Sequence, residues 1–248
     1  MSPLLVHILL EALAYTIGLG LFRVLRARHG HPADTHPEGG WVLVGAVFGA
    51  VVGSKLLDLA QYPTYVAAHL TDPAVLFGGK TIVGGLVGGW IGVEATKRAI
   101  GLRRSTGDLL VLPLIVGMSI GRLGCLLSGP GDHTGGALTD VPWAIDQGDG
   151  PRHPAPLYEV LFLVLFGVVQ ARIPLRREGD RFLLFMCAYL VFRLVVDFWK
   201  APFGPDPLLP VPDLLPIGLT AIQTVALLGA CYAASRLVRS PRRPRSTA

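Results

Sequence analysis

Charge is what this chain has least of. Asp, Glu, Lys and Arg make up 16% of its 248 residues, where an ordinary soluble domain carries about 25%. That shortage excludes a typical water-facing surface. With 51% hydrophobic residues and a mean hydropathy of +0.53, it points to lipid as the solvent. Cysteine is scarce too. Cys125, Cys187 and Cys231 stand apart in apolar surroundings and form no CxxC pair, which argues against a disulfide framework or a metal centre. No internal repeat and no soluble domain can be picked out. The net charge of +5 and pI near 9.4 would raise nucleic acid in a soluble protein. Here the positions of the charges give another reason, so no nucleic-acid partner is expected.

Apolar runs are abundant. A helix needs about 20 such residues to cross a bilayer. Seven runs qualify, at 4–25, 41–61, 81–99, 109–127, 157–173, 182–199 and 214–237, the fifth and sixth being the shortest. Arg23, Arg26 and Arg28 follow the first. Lys97, Arg98, Arg103 and Arg104 follow the third, and Arg172, Arg176, Arg177 and Arg181 the fifth. Arg236, Arg239, Arg242, Arg243 and Arg245 follow the seventh. The loops after the even-numbered runs carry aspartate instead. Basic loops face the cytoplasm, so the expectation is an all-α integral membrane protein with seven transmembrane helices, N-terminus outside and C-terminus cytoplasmic. Residues 1–237 form the membrane domain and 238–248 a basic tail. The first run has its charges after it rather than before it, which reads as a retained helix and not a cleaved signal. The stretch 129–151, rich in Gly and Asp, reads as an irregular outer loop.

Gly45, Gly49 and Gly53 line one face of the second run. Gly84, Gly88 and Gly92 line one face of the third, and Gly117 and Gly121 continue the pattern on the fourth. Small residues at four-residue spacing let helices approach closely. Bare backbone at Gly84-Gly85 would also leave room for a lipid headgroup. Ionisable residues inside spans are costly and usually face an interior site. They are Glu11, Lys55, Asp58, Glu94, Arg122, Glu159, Arg193, Asp197 and Lys200. Lys55 and Asp58 are spaced for a packing ion pair, and Glu94 is placed to reach the cytoplasmic interface. Arg122 and Arg193 have no acidic neighbour in sequence that fully explains them. Two guanidinium groups in one membrane cavity suit a phosphate, and a phospholipid headgroup is the phosphate at that depth.

Several segments then resemble one family. Gly121-Arg122-Leu123-Gly124, followed by Ser128-Gly129, resembles the signature of the prolipoprotein diacylglyceryl transferases. Arg152-His153-Pro154-Ala155-Pro156-Leu157-Tyr158-Glu159 is similar to their Arg-His-Pro-Ser-Gln-Leu-Tyr-Glu block. Tyr189-Leu190-Val191-Phe192-Arg193 with Asp197-Phe198-Trp199-Lys200 is similar to a later Arg-Phe…Glu-Phe-Phe-Arg segment. Gly78-Gly79 before Gly84-Gly85, and Tyr15 in the first helix, also match. The likeness runs in order along nearly the whole chain.

The resemblance implies a multi-pass enzyme of the bacterial plasma (inner) membrane that serves lipoprotein biosynthesis. It would move diacylglycerol from phosphatidylglycerol to the cysteine thiol of a prolipoprotein signal peptide. The product is a thioether, the leaving group is glycerol 1-phosphate, and no metal or cofactor is implied. It places Arg122 and Arg193 at the phosphate, with Tyr15, Glu159 and His153 as further catalytic positions. Gly84, Gly85, Gly121, Gly124, Ser128, Gly129 and Lys200 would line the substrates. Where that family has a third-helix histidine this chain has Val83, so the proton acceptor is left to another residue. Asp132, His133 and His153 are the candidates. The alternative is a paralogue that binds phospholipid but uses another acceptor or none. A transporter is a third reading, disfavoured because no repeat or matched pair of interrupted helices is present.

Overall fold

The computed structural model describes residues 3–129, 134–148, 150–174, 177–200 and 212–239. Asp132, His133 and the tail from 240 lie outside them. The described chain is mostly helical, with α1 (Pro3–His29), α2 (Trp41–Leu59), α3 (Pro63–Ala68), α4 (Pro73–Phe77) and α5 (Ile82–Ala99) in its first half. α6 (Val111–Ser128), α7 (Ala155–Arg172), α8 (Asp180–Val196) and α9 (Ala221–Arg239) follow. Among the described residues, five stretches are long and apolar enough to cross a membrane: Leu5–His29, Trp41–Leu59, Asp108–Ser128, Ala155–Arg172 and Ala221–Arg239. α5 and α8 occupy the third and sixth runs. They have 18 and 17 residues and carry more charge, with Glu94, Lys97 and Arg98 on one and Asp180, Arg181 and Arg193 on the other.

Three local expectations change. The seventh run does not become helical until Ala221, because Pro216 interrupts it and Gly218 adopts φ 74° in a turn. The segment after α2 contains α3 and α4, each with proline in its first turn, where the missing N–H costs nothing. The outer loop is not wholly irregular, since Ile145–Asp146 pairs antiparallel with Pro151–Arg152. This ribbon is the only β structure beside one isolated bridge among the described residues.

α2 lies along α5, α1 along α6, α7 against α6, and α8 against α9. The α2–α5 contact is backbone on backbone. A Cβ at Gly53 would stand 2.7 Å from Gly88 Cα, and one at Gly45 would stand 2.8 Å from Gly92 O. Gly84 packs against Gly53 O in the same seam, whereas Gly85 meets its neighbours at ordinary contact distance. On α6 the partner is α1: Gly117 packs near Ala14 O and Gly124 against Leu10. Val83, Val111, Ile115, Leu163, Phe185, Met186, Tyr189, Leu190 and Ala226 form the central core, to which α5, α6, α7, α8 and α9 all contribute.

Polar side chains lock these helices end to end. Asp108, ahead of α6, accepts from the backbone N–H groups of Gly179 (2.6 Å) and Phe182 (3.0 Å), capping α8 from another element. Thr81 caps α5 at Gly84 N, while its backbone N–H donates to Ser54 Oγ on α2 (3.0 Å). Lys55 does pair with Asp58, at 3.0 Å, and also donates to Val75 O on α4. Glu94 pairs with buried Lys97 at 2.8 Å.

Candidate active site

Glu159 sits one turn into α7 and is 1% exposed. Three groups from two other helices converge on it. Arg122 of α6 brings Nε to 2.9 Å from Oε2, placed as an ion pair rather than aligned for a hydrogen bond. Arg193 of α8 donates from Nη1 to the same oxygen at 3.0 Å, and Tyr189, one turn earlier on α8, donates its hydroxyl to Oε1 at 2.7 Å. The arginines are 6% and 4% exposed.

This corrects the sequence-based expectation that the two arginines lack a full acidic partner. They share one, supplied by a helix distant in sequence. A buried carboxylate is expensive unless paired and hydrogen-bonded, and here two guanidiniums and a phenol do both. Tyr189 has a role that sequence reasoning missed. Its spacing of four from Arg193 places both on one face of α8, and that spacing was the available signal.

The two arginines are not equivalent. Arg193 is held at both ends of its fork, since Nη2 also reaches Asp197 Oδ1 at 3.4 Å. Asp197 is in turn met by the Thr220 hydroxyl ahead of α9, at 3.5 Å. Arg122 instead carries Nη1 to 4.0 Å from Cys125 Sγ, a contact too long and soft to satisfy a guanidinium. Lys200 lies within electrostatic reach of both arginines, Asp197 and Glu159. Two guanidiniums share the single carboxylate of Glu159, and Asp197 meets Arg193 alone, so Arg122 keeps the larger share of unbalanced positive charge. A group of this kind can receive an anion through Arg122 while Arg193 and Glu159 keep its position.

Glycine shapes the helix beside Arg122. A Cβ at Gly121 would meet nothing within 4 Å. Gly124 is buried, and Ser128 Oγ donates to its carbonyl at 2.7 Å. Gly129 then ends α6 with φ 74°, a conformation that a side chain would strain.

The remaining sequence candidates lie outside this trio of charges. His153 Nδ1 is 3.0 Å from the Tyr158 hydroxyl, which accepts from Trp143 Nε1 at 2.7 Å, and its ring lies beside Trp199. Gly136 and Ala137 fasten this corner, donating to His153 O and Trp199 O, each at 2.8 Å. Thus the start of α7 is tied to the end of α8, and His153 is a fixed part of that tie. Trp143, His153, Leu157, Tyr158, Leu161 and Trp199 surround an apolar cavity of about 530 Å³. Tyr15 is 68% exposed on α1 and donates to Glu11 Oε1 at 3.0 Å. Gly84 is occupied in the α2 seam. Val83, 1% exposed, is part of the dry core.

Comparisons with known proteins bear on the chain as a whole. Residues 5–238 match the family described as prolipoprotein diacylglyceryl transferase. A phosphatidylglycerol–prolipoprotein diacylglyceryl transferase of Methylococcus capsulatus is 34% identical over 218 residues, which cover 81% of this chain and 80% of that protein. The protein of the same name from Paramagnetospirillum magneticum is 33% identical over 206 residues, covering 77% and 76%. That from Glaesserella parasuis is 31% identical over 209 residues, covering 77% and 75%. This chain belongs to the prolipoprotein diacylglyceryl transferase family.

Proposed function

We propose that this protein transfers the diacylglyceryl group of phosphatidylglycerol to the cysteine thiol of a prolipoprotein signal peptide. The observation that carries the reading is the buried Arg122–Glu159–Arg193 cluster with its net positive charge. In the reaction the thiolate sulfur forms a bond to the glycerol carbon that bears the phosphate ester. The carbon–oxygen bond breaks, and glycerol phosphate leaves with one more negative charge than the diester carried. A guanidinium fixed where that charge develops lowers the barrier, and removing such a donor costs about 10²–10³ in rate. Arg122 fills this role. Arg193 and Glu159 act through it, by holding its orientation, and Tyr189 holds Glu159. The open space at Gly121 and the bare turn at Gly129 admit the lipid headgroup, with Ser128 and Lys200 at its edges.

The site works at the outer face of the bacterial plasma membrane, with α5 and α8 completing seven spans. The alternation of basic and acidic loops supports that arrangement, with the N-terminus outside. The alternation also puts the end of α6 and the start of α7 on the side where a translocated signal peptide arrives.

The test is transfer of radiolabelled diacylglycerol from phosphatidylglycerol to a lipobox peptide by purified protein in detergent. Wild type should form the thioether. Arg122→Ala should lose at least about 10²-fold in rate while remaining folded. Undiminished transfer by Arg122→Ala would remove that arginine from the phosphate. No product from folded, lipid-binding wild type would instead favour the lipid-binding paralogue.

A further inference from the structure

The reaction needs a proton acceptor, because a thiol with its ordinary pKa near 8.5 is mostly protonated at neutral pH. Most groups near the arginine site are already committed. Arg122 and Arg193 are guanidiniums, which keep their protons in proteins. Both oxygens of Glu159 are taken, Oε2 by the two arginines and Oε1 by the Tyr189 hydroxyl. Both oxygens of Asp197 are engaged as well, Oδ1 by Arg193 and Oδ2 by the Thr220 hydroxyl. His153 meets Tyr158 through Nδ1 in the tie between α7 and α8. On α1, Glu11 Oε1 receives the Tyr15 hydroxyl and the Lys80 ammonium, and its Oε2 faces His7. That leaves Lys200, the only cation of the arginine site that can also exist as a neutral base.

The backbone leading to Lys200 is fixed. The N–H groups of Asp197, Phe198 and Trp199 donate to Arg193 O, Val195 O and Val196 O, so the chain leaves α8 in a tight turn. Ala137 N then holds Trp199 O at 2.8 Å. This turn brings the amine within electrostatic reach of Arg193, Arg122, Asp197 and Glu159. Lys200 is partly exposed, and among the described residues no acceptor is hydrogen-bonded to its nitrogen. The amine is tethered at the site without being consumed by it. Trp199, the residue before it, lines the apolar cavity. Lys200 therefore stands where the charged cluster adjoins apolar surface, four residues beyond the end of α8. Burial, with Arg193 and Arg122 as like charges, pushes its pKa down to about 7, against the weaker pull of Asp197 and Glu159. Near neutral pH the amine is thus populated both with and without its proton, as general-base catalysis requires.

We propose that Lys200, as the neutral amine, takes the proton of the acceptor thiol. The inference rests on the transferase reading. The S–H bond breaks and its electron pair stays on sulfur, which attacks the glycerol carbon as the carbon–oxygen bond to phosphate breaks. The proton rests on Lys200 Nζ while the leaving glycerol phosphate gains its further negative charge, so the new ammonium arises beside the new anion. The proton passes to solvent when glycerol phosphate departs. The charged and titratable groups that face Lys200 are Arg122 from α6, Glu159 from α7, and Arg193 and Asp197 from α8 and its end. Tyr62, ahead of α3, lies near Asp197, and Cys125 and Tyr189 lie near Arg122.

The test compares Lys200→Arg with wild type in transfer to a lipobox peptide between pH 6 and 9.5. The substitution keeps a cation for the phosphate and removes the base, so the two roles separate. Wild-type kcat/KM should rise through about pH 7. Lys200→Arg should lose about 10²-fold or more in kcat at pH 7, with little change in KM for phosphatidylglycerol. It should recover toward the wild-type rate above pH 9, where the thiol ionises unaided. Lys200→Met should show the same recovery with a raised KM. The Arg122→Ala loss should persist at every pH, since its role is not proton transfer. A near-normal kcat for Lys200→Arg at pH 7 would make Lys200 a phosphate contact alone and overturn the proposal, as would a loss of equal size across the range. If Lys200→Arg does not fold, the pH profile of Lys200→Met decides. Failure of wild type to form product at any pH overturns the transferase reading itself, a result distinct from either variant's profile.

Discussion

Two helix contacts in this protein are built in opposite ways. Between α2 and α5 the seam is bare backbone, with Gly45, Gly49 and Gly53 opposed to Gly92, Gly88 and Gly84. Between α6, α7 and α8 the apolar core is crossed by full charges, with Glu159 holding Arg122 and Arg193. Lipid offers helices no hydrophobic reason to associate, so van der Waals packing must hold the first contact, and in the second electrostatics is added to packing. The glycine seam tolerates no addition, and the charged contact tolerates no subtraction. Only the second leaves a directional donor that chemistry can use.

The comparison is broken most severely at Glu159. Glu159→Ala leaves two guanidiniums buried beside each other without their anion. Removing one partner from a buried pair costs about 3–5 kcal/mol. The variant should fall well below wild type in thermal unfolding in detergent and should lose transfer altogether. Retained stability would mean that water or lipid phosphate already balances the arginines. At the other contact, Gly49→Leu drives a side chain into the backbone of Gly88 and Gly92. Overpacking of that kind costs about 1–3 kcal/mol. Since α2 holds none of the charged trio, the surviving folded fraction should transfer at a nearly normal rate.

Gly121 sharpens the contrast, because it is a glycine that packs against nothing within 4 Å. Gly121→Ala should leave thermal unfolding within about 0.5 kcal/mol of wild type. It should raise KM for phosphatidylglycerol if its open face receives the lipid. A normal KM would make Gly121 a lipid-facing residue and move the headgroup to the Ser128 side.

Arg122 and Arg193 were legible in the sequence, because a charge in an apolar run demands a reason. Glu159 appeared beside them as a family position. Its pairing with both arginines did not, since separations of 37 and 34 residues say nothing about which helices are neighbours. The seam was legible for the complementary reason: glycine at every fourth residue on two runs is the pattern that lets two helix backbones touch. The late start of α9 was missed because hydropathy weighs Leu214, Leu215 and Ile217 equally with helical residues. Pro216 and Gly218 in the same stretch were the contrary signal. The Glu11–Lys80–Tyr15 cluster was half visible, as Lys80 lies in a loop that only the fold brings to α1.

The smallest expected effect lies away from both contacts, at the turn that follows α1. His31 is 8% exposed there. Its Nδ1 accepts from Ala33 N at 3.3 Å, so the proton of the neutral ring sits on Nε2, which donates to Thr106 O at 3.1 Å. A second proton would have to enter at Nδ1, against the Ala33 N–H. Burial lowers the pKa of His31 below its ordinary value near 6.5, an effect larger than the opposing pull of the Thr106 carbonyl and Asp34. The unfolded chain therefore binds a proton that the folded chain refuses. Stability from this group is present above about pH 6.5 and declines as the pH falls below it. Between pH 7.5 and 5.5, wild type should lose more thermal stability than His31→Gln, which keeps a donor for Thr106 and does not titrate. Equal losses would show that the turn accommodates the imidazolium.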